Sequence, residues 1–366
     1  MRMIYCTSIT FPSTLANRIQ IINMSAEFQK ILGKNFYLGC NNFDLSKNKY
    51  NINIVNFYSK KALFLSLKYL FFCKKNKINH IYCRENRLLF FLIIFNKIFF
   101  RLNIKYVYGV HWLGANKVDF YIDRFLINYI NHFVFITNCL KNSFFKAHIK
   151  KENSFSFIIS PDGVNVNNFS FNLNKNDIKS LLCLPIDKKI ILYSGSLKVY
   201  DWKGVDIFLE SIKFFSENYY FVMVGGRESS VESIKSKYDY KNLFLTGYIS
   251  HEKVPLYLKS ADVLILPNKR GNIISECYTS PLKLFEYMAS GVPIIASDLP
   301  SIREILNKDN SFLFEANNVN NLSEKINFVL ENEDEAEKRA KKALEDVKKY
   351  TWKKRAENII NFIKNN

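Results

Sequence analysis

The segment from Thr279 to Glu304 holds the densest set of groups able to do chemistry in this 366-residue chain. Ser280 is a residue type that caps helices and Pro281 suits a first helical position, which predicts a helix opening at Leu282. Its first turn leaves the backbone N–H groups of Leu282, Lys283 and Leu284 without partners inside the helix. Peptide dipoles add partial positive charge there and Lys283 adds a full one, so the helix start is suited to an anion such as phosphate. Glu286 lies one turn further on, where a carboxylate can accept hydrogen bonds from paired sugar hydroxyls such as those of a ribose. Gly291 ends the helix and Pro293 leads into a strand at Ile294–Ser297. Taken alone, the segment also reads as a capped helix between two strands.

Three other places combine a strand end with reactive or small residues. The run Tyr193-Ser194-Gly195-Ser196-Leu197 continues to Trp202-Lys203-Gly204. Small residues there let the backbone approach a phosphate closely, and Lys203 can reach it as a point charge. The run Val107–Trp112 sets His111 just after an apolar strand, where open α/β sheets carry their sites. His111 is able to hydrogen-bond a substrate hydroxyl or a developing charge. His80, His132, His148 and His251 read as structural. The run Val222–Arg227 is again a strand followed by glycines, but it lacks the G-x-G-x-x-G pattern of a dinucleotide fingerprint.

Short apolar runs alternating with helical stretches have to position these groups, which predicts α/β layers with parallel sheets. Strands are expected at Met3–Thr7, Phe36–Leu38, Ile52–Phe57, His80–Cys83, Tyr106–Val110, Phe133–Thr137 and Phe155–Ile159, with a first helix at Leu15–Leu32. Pro161, Gly163 and the polar run 165–176 mark a linker. The alternation restarts with Ile190–Tyr193, Phe221–Val224, Leu243–Thr246, Val263–Pro267, Ile294–Ser297 and Ser311–Phe314. A charged helix at 332–348 and a last one from Thr351 close the chain.

Charge is unevenly spread. Residues 1–165 hold 23 Lys and Arg against 7 Asp and Glu, a net of +16, whereas residues 166–366 hold 29 against 26, a net of +3. The first half is thereby suited to an anionic surface. Lys60–Arg101 interleaves large apolar side chains with basic clusters. Its longest apolar run, Leu88–Phe100, is too short for a bilayer span of about 20 residues. It fits a membrane interface, with Phe and Leu inserted and Lys among headgroups, as well as a core helix with a basic outer face. No helix-turn-helix, finger or RNP pattern points to nucleic acid. The N-terminus has no apolar signal core after its charge, which predicts a cytoplasmic chain. Seven cysteines form no C-x-x-C pair and none sits beside His at metal-ligand spacing, and no Asp-x-Asp element is placed to hold Mg²⁺.

Together these pieces resemble the retaining glycosyltransferases of family 4, with the two-Rossmann-domain architecture called GT-B. The likeness covers nearly the whole chain and is strongest over Ile190–Glu304. It rests on the strand with Gly and Lys203-Gly204, the strand and glycine turn of Val222–Gly226, and the Gly-aromatic turn at Gly247-Tyr248. It rests also on Tyr257–Pro267 and on the helix with Glu286 followed by the ASGVPIIASD run. Pro161–Val164 resembles the segment before the linker, and Tyr350-Thr351-Trp352 the start of the final helix.

The resemblance implies two Rossmann-like domains facing each other across a cleft: residues 1–166, joined by a C-terminal helix 351–366 that crosses back, and residues 167–350. It implies transfer of a sugar from a nucleotide-sugar donor to an acceptor hydroxyl, with retention and without a metal or other cofactor. Gly195, Ser196, Lys203, Ser280, Lys283 and Leu284 would hold the diphosphate, Glu286 the ribose, Arg227 and Tyr248 the base, and His111 the transferred sugar. His111, Lys203 and Glu286 would be the catalytic set. The acceptor would be a glycan or lipid-linked molecule, met by a protein docked through its basic first domain on the inner face of the cytoplasmic membrane. Two positions depart from the pattern. Ser196 replaces an Arg of the phosphate element, and Tyr278 stands where the first Glu of the Glu-x7-Glu pair belongs. An inactive member that binds nucleotide sugar or a partner enzyme without transfer is therefore the alternative.

Overall fold

The computed structural model describes residues 1–12, 16–59, 61–114, 116–148, 155–199 and 201–366. The expected helix start at Leu15 and Lys60 at the head of the basic apolar region lie outside them. The described residues form two compact units, Met1–Asp162 with Trp352–Asn366, and Gly163–Thr351.

The first unit contains β1 (Met3–Cys6), β2 (Thr10–Phe11), β3 (Phe36–Cys40), β4 (Asn42–Phe43), β5 (Ile54–Asn56), β6 (His80–Cys83), β7 (Lys105–Val110), β8 (His132–Phe135) and β9 (Phe157–Ile159). Seven of them make a parallel sheet in the order β5-β3-β1-β6-β7-β8-β9, and β2 pairs with β4 beside it. The central strands are apolar throughout because helices cover both faces. Every residue of β1 and β8 is buried. Strand order reverses between β1 and β6, the place where open α/β sheets leave a crevice at their carboxyl ends.

The last helix, Trp352–Asn365, packs on the helix Ala16–Leu32 and is part of this unit. Arg355 on that helix donates to Asp162 at 2.7 Å, and both side chains are almost wholly buried.

The apolar run Leu88–Phe100 splits into two parts. Leu88, Leu89, Leu92 and Ile93 belong to the core face of the helix Asn86–Phe95. The segment Asn96–Phe100 then widens into a π-helical turn closed by Arg101 in a left-handed conformation. Asn96 forms both a donor and an acceptor bond with the backbone of Leu102, which stops the helix. Ile98 and Phe99 are left exposed there, and Phe71 of the helix Ala62–Lys75 stacks edge-on with Phe100 at 4.9 Å. Among the described residues, no helix is long and apolar enough to cross a membrane.

The second unit contains β10 (Lys189–Ser194), β11 (Tyr219–Val224), β12 (Leu243–Leu245), β13 (Val263–Leu266), β14 (Ile294–Ser297) and β15 (Phe312–Phe314). They form a parallel sheet in the order β12-β11-β10-β13-β14-β15. Alternate residues of β10 enter different cores. Ile190 and Leu192 pack with Leu264, Leu284 and Met288, while Ile191 and Tyr193 pack with Val205 and Phe208 on the other face. Here the order reverses between β10 and β13, whose ends carry Gly195 and Asn268.

Candidate active site

The expected phosphate element is built by the end of β10. The Gly195 N–H donates to the Val224 carbonyl at 2.8 Å, and the Tyr193 hydroxyl donates to the Ser196 carbonyl at 3.0 Å, which fixes the turn from both sides. Gly225 is in the left-handed region at φ 111°, and a Cβ there would lie 2.5 Å from the Gly195 carbonyl oxygen. Only glycine lets the two strand ends approach this closely. Gly204 is under the same constraint, because a Cβ would meet the Pro267 carbonyl at 1.7 Å. That contact seats Lys203 against the end of β13.

The helix of interest runs Leu282–Ser290. Its cap position is taken by Pro281, extended at ψ 125°, and not by Ser280 as expected. The reason is local: the Leu284 N–H turns back onto the Pro281 carbonyl at 3.0 Å, so the hydrogen-bonded turn starts one residue later. Leu284 therefore offers no free amide, and its side chain belongs to the core. The amides of Leu282 and Lys283 remain at the helix start. Gly291 at φ 71° closes the helix.

Lys283 is the anomaly of this site. Its Nζ is shielded from solvent, has no hydrogen-bond partner among the described residues, and rests 4.1 Å from the centroid of the Tyr193 ring. A Cβ added at Gly195 would be 3.5 Å from that Nζ, so the amine lies against the phosphate turn. Burial and then the charge of Lys203 push its pKa down to about 7, with Glu286 pulling the other way. Lys203 is itself lowered by burial. Lys283, with Nζ unbonded and Lys203 lowering its pKa, is placed where an anionic group at the Gly195 turn would favour its charged form.

Glu286 does not face Lys283. Its Oε1 lies 2.7 Å from Nε2 of His251, in the turn after β12. Tyr248 is 64% exposed at the same turn, which the Gly225 N–H ties to the Gly247 carbonyl at 3.1 Å. Arg227 is exposed at the start of the helix Glu228–Lys237. Gly195, Ser196, Lys203, Lys283, Arg227 and Tyr248 thus stand on strand-end turns and helix starts of the second unit, and Glu286 lies within the helix Leu282–Ser290. Tyr278 occupies the loop before the helix, and the nearest alternative carboxylate, Glu276, accepts the Gly271 N–H at 2.6 Å.

His111 follows β7 in the first unit. Burial, then Arg84 and Arg355, hold its imidazole well below its usual range, so it is neutral at pH 7. Around it runs a network that sequence reading missed. Arg84 donates to Gln20, Gln20 donates to Asp162, and Arg355 donates to the same carboxylate. Glu85 accepts the Ser8 N–H at 2.9 Å and the hydroxyls of Thr7 and Ser8, which pins the first loop. The signal for Arg84 and Glu85 was their position directly after β6, at the reversal of strand order. His251 and Tyr287 had no comparable signal. Among the described residues, no group of three His, Cys, Asp or Glu side chains is placed to hold a metal ion.

Residues 175–346 match the family model of glycosyl transferases group 1. A curated relative, the N,N′-diacetylbacillosaminyl-diphospho-undecaprenol α-1,3-N-acetylgalactosaminyltransferase of Campylobacter jejuni, is 26% identical over 253 residues, 67% of this chain and 63% of its own. The chain spans 42%, 42% and 63% of the length of three curated relatives that it matches. Among solved structures, Anabaena HepE in complex with UDP superposes with a TM-score of 0.80 at 13% identity, covering 100% of both chains. A glycosyltransferase of Rickettsia africae gives 0.78 at 16% identity, over 100% of this chain and 99% of its own. At such identities the likeness is one of fold, the GT-B architecture of paired α/β domains. Residues 175–346, most of the second unit, are thus similar to the group 1 glycosyl transferases, and the fold over the full length is that of the GT-B structures.

Proposed function

We propose that this protein transfers a sugar from a nucleoside-diphosphate donor to a hydroxyl of a glycan or lipid-linked acceptor, with retention and without a metal. The observation that carries this reading is the unpartnered Nζ of Lys283 against the Gly195 turn, with Lys203 beside it. In the transfer, the bond from the anomeric carbon to the diphosphate oxygen breaks and its electron pair stays on the diphosphate. The new bond forms to the acceptor oxygen, whose proton passes to the departing phosphate. Lys203, Lys283 and the helix start stabilise the charge that develops on the leaving group. Glu286 takes the ribose, Tyr248 and Arg227 the base, and neutral His111 is assigned to the transferred sugar. Support comes from relatives: the Campylobacter enzyme is named for a diphospho-undecaprenol acceptor, and HepE was solved with UDP.

The same proposal puts the first unit on an anionic membrane at the inner face of the cytoplasmic membrane. Phe64, Phe71, Ile98 and Phe99 are exposed there among Lys68, Lys74, Lys75, Lys97 and Arg101. The +16 net charge of residues 1–165 complements such a surface.

A thermal-shift panel of UDP, GDP, ADP and CDP tests the donor reading, run on the native protein and on Lys203→Ala and Glu286→Ala. A ligand that binds only the folded state raises its apparent stability. Silence with all four would sink the proposal. A second reading is favoured by one observation: Tyr278 stands at the position of the first Glu of the pair, and the neighbouring Glu276 is tied to the Gly271 N–H at 2.6 Å. Such a protein would bind nucleotide sugar without turnover, and a donor-consumption assay with and without acceptor separates the two.

A further inference from the structure

Lys283 and Glu286 are three residues apart on one helix, the spacing at which a lysine and a glutamate ordinarily pair. They do not pair here. Nζ of Lys283 has no partner, and the carboxylate is held by His251 at 2.7 Å. His251 comes from a separate element, the short turn His251–Lys253, which is closed by the Lys253 N–H on the Ser250 carbonyl at 2.9 Å. The Glu286 side chain is 13% exposed and that of His251 is 47% exposed. Only Oε1 of Glu286 is engaged among the described residues, and Oε2 keeps its lone pairs. The charged groups facing the imidazole are Glu286 and, on its own turn, Glu252. The hydrogen bond to Glu286 comes first among the causes that raise its pKa, so the pair strengthens when the imidazole is protonated.

We infer that His251 is a positioning residue for the donor's ribose: it holds Oε1 of Glu286 away from Lys283 and presents Oε2 to the ribose hydroxyls. The site then selects a ribonucleoside diphosphate over its 2′-deoxy counterpart. The inference rests on the reading of Glu286 as the ribose-binding group. Two functions follow from one contact. Glu286 stays free to accept hydroxyl bonds, and Lys283 stays free for the diphosphate. Without the imidazole, the carboxylate falls onto the lysine three residues before it, and both groups are lost to the ligand.

The test is calorimetric titration with UDP, GDP, ADP and CDP, each against its 2′-deoxy form, on the native protein, His251→Ala and His251→Gln. The Gln amide reaches a position close to that of Nε2 and can donate the same bond. The native protein is expected to prefer the ribose form by roughly ten-fold or more, as a hydrogen bond to a charged group gives. His251→Ala is expected to reduce that ratio below about three-fold, and His251→Gln to restore most of it. An equal loss for ribose and deoxyribose forms would mark His251 as merely structural and overturn the inference, as would an unchanged ratio in His251→Ala. If the native protein binds none of the eight nucleotides, the donor-site reading itself fails. If it binds them without preferring ribose, the role of Glu286 fails and the inference with it.

Discussion

The backbone N–H of Ser194 donates to the hydroxyl of Tyr287 at 2.8 Å. That bond joins the last residue of β10 to the middle of the helix that carries Lys283 and Glu286. Both residues are buried, and neither was assigned a role of its own within the two constellations that contain them. The bond fixes the distance between the phosphate turn at Gly195 and the helix start. Tyr287→Phe would leave the Ser194 amide buried without its partner, which costs about 1–3 kcal/mol. A loss of that size in urea unfolding, together with weaker nucleotide binding, is the expected result. Unchanged nucleotide affinity in a folded Tyr287→Phe protein would show that the helix holds its place without the bond.

Lys283 sets a pH dependence whose sign follows from its environment. In the free protein its pKa is about 7, because burial and Lys203 disfavour the charged form. A bound diphosphate favours that form and raises the pKa. Binding therefore takes up a proton above pH 7, and affinity is full below pH 7. It declines as pH rises from 7 toward the pKa of the complex, by up to ten-fold per unit. Calorimetry in two buffers of different ionisation enthalpy measures the proton uptake directly. Lys283→Met should abolish both the uptake and most of the affinity while leaving the fold intact.

Metal removal should leave the reaction unaffected. If Lys203, Lys283 and the amides of Leu282 and Lys283 meet the diphosphate as proposed, they supply the charge stabilisation themselves, and donor binding and turnover are expected to be unchanged within about two-fold after exhaustive EDTA treatment. A ten-fold fall that Mg²⁺ or Mn²⁺ restores would refute metal independence.

The exposed aromatic edge of the first unit yields a membrane prediction. Phe71 is 65% exposed and Phe99 is 67% exposed, and inserting a phenylalanine side chain into a lipid interface is worth about 1.5–3 kcal/mol. Phe71→Ser and Phe99→Ser should each weaken binding to vesicles containing phosphatidylglycerol by about ten-fold at low salt. Lys74→Glu with Lys75→Glu should make the remaining binding less salt-sensitive. No binding of the native protein to such vesicles at low salt would end the membrane proposal.

The C-terminal helix is attached by its apolar face, Trp352, Ala356, Ile359, Ile360 and Ile363, and by the buried ion pair of Arg355 with Asp162. Arg355→Ala leaves the Asp162 carboxylate in the core without its cation, and breaking a pair this deeply buried costs about 3–5 kcal/mol. Faster amide exchange through Trp352–Asn365 and a lowered unfolding midpoint would record it. Asp162→Asn, which removes the buried charge and keeps an acceptor, should cost clearly less.

Much of the fold was legible in local pattern. A parallel strand buried on both faces reads as an unbroken apolar run, and Ile294–Ser297 and His80–Cys83 lie where that pattern put them. Gly291 closes its helix because only a residue tolerant of positive φ fits there, and that is visible in one dimension. Lys203, Lys283 and Glu286 could be named from their positions at strand ends and a helix start. Their partners could not. Which residue opposes a carboxylate depends on where a distant turn is folded, and His251 lies 35 positions from Glu286. The helix cap moved from Ser280 to Pro281 for a similar reason, since one backbone bond at Leu284 decided it. The run Leu88–Phe100 carried two readings in sequence, and the structure divided it at Asn96. Hydrophobicity records that a side chain prefers to leave water, but only tertiary packing decides whether protein is there to receive it. The sequence by itself thus determined the elements, the glycines and the charged residue types. The unpaired state of Lys283, the neutrality of His111 and the hold of His251 on Glu286 were decided by burial and distance, which arise only when remote segments meet.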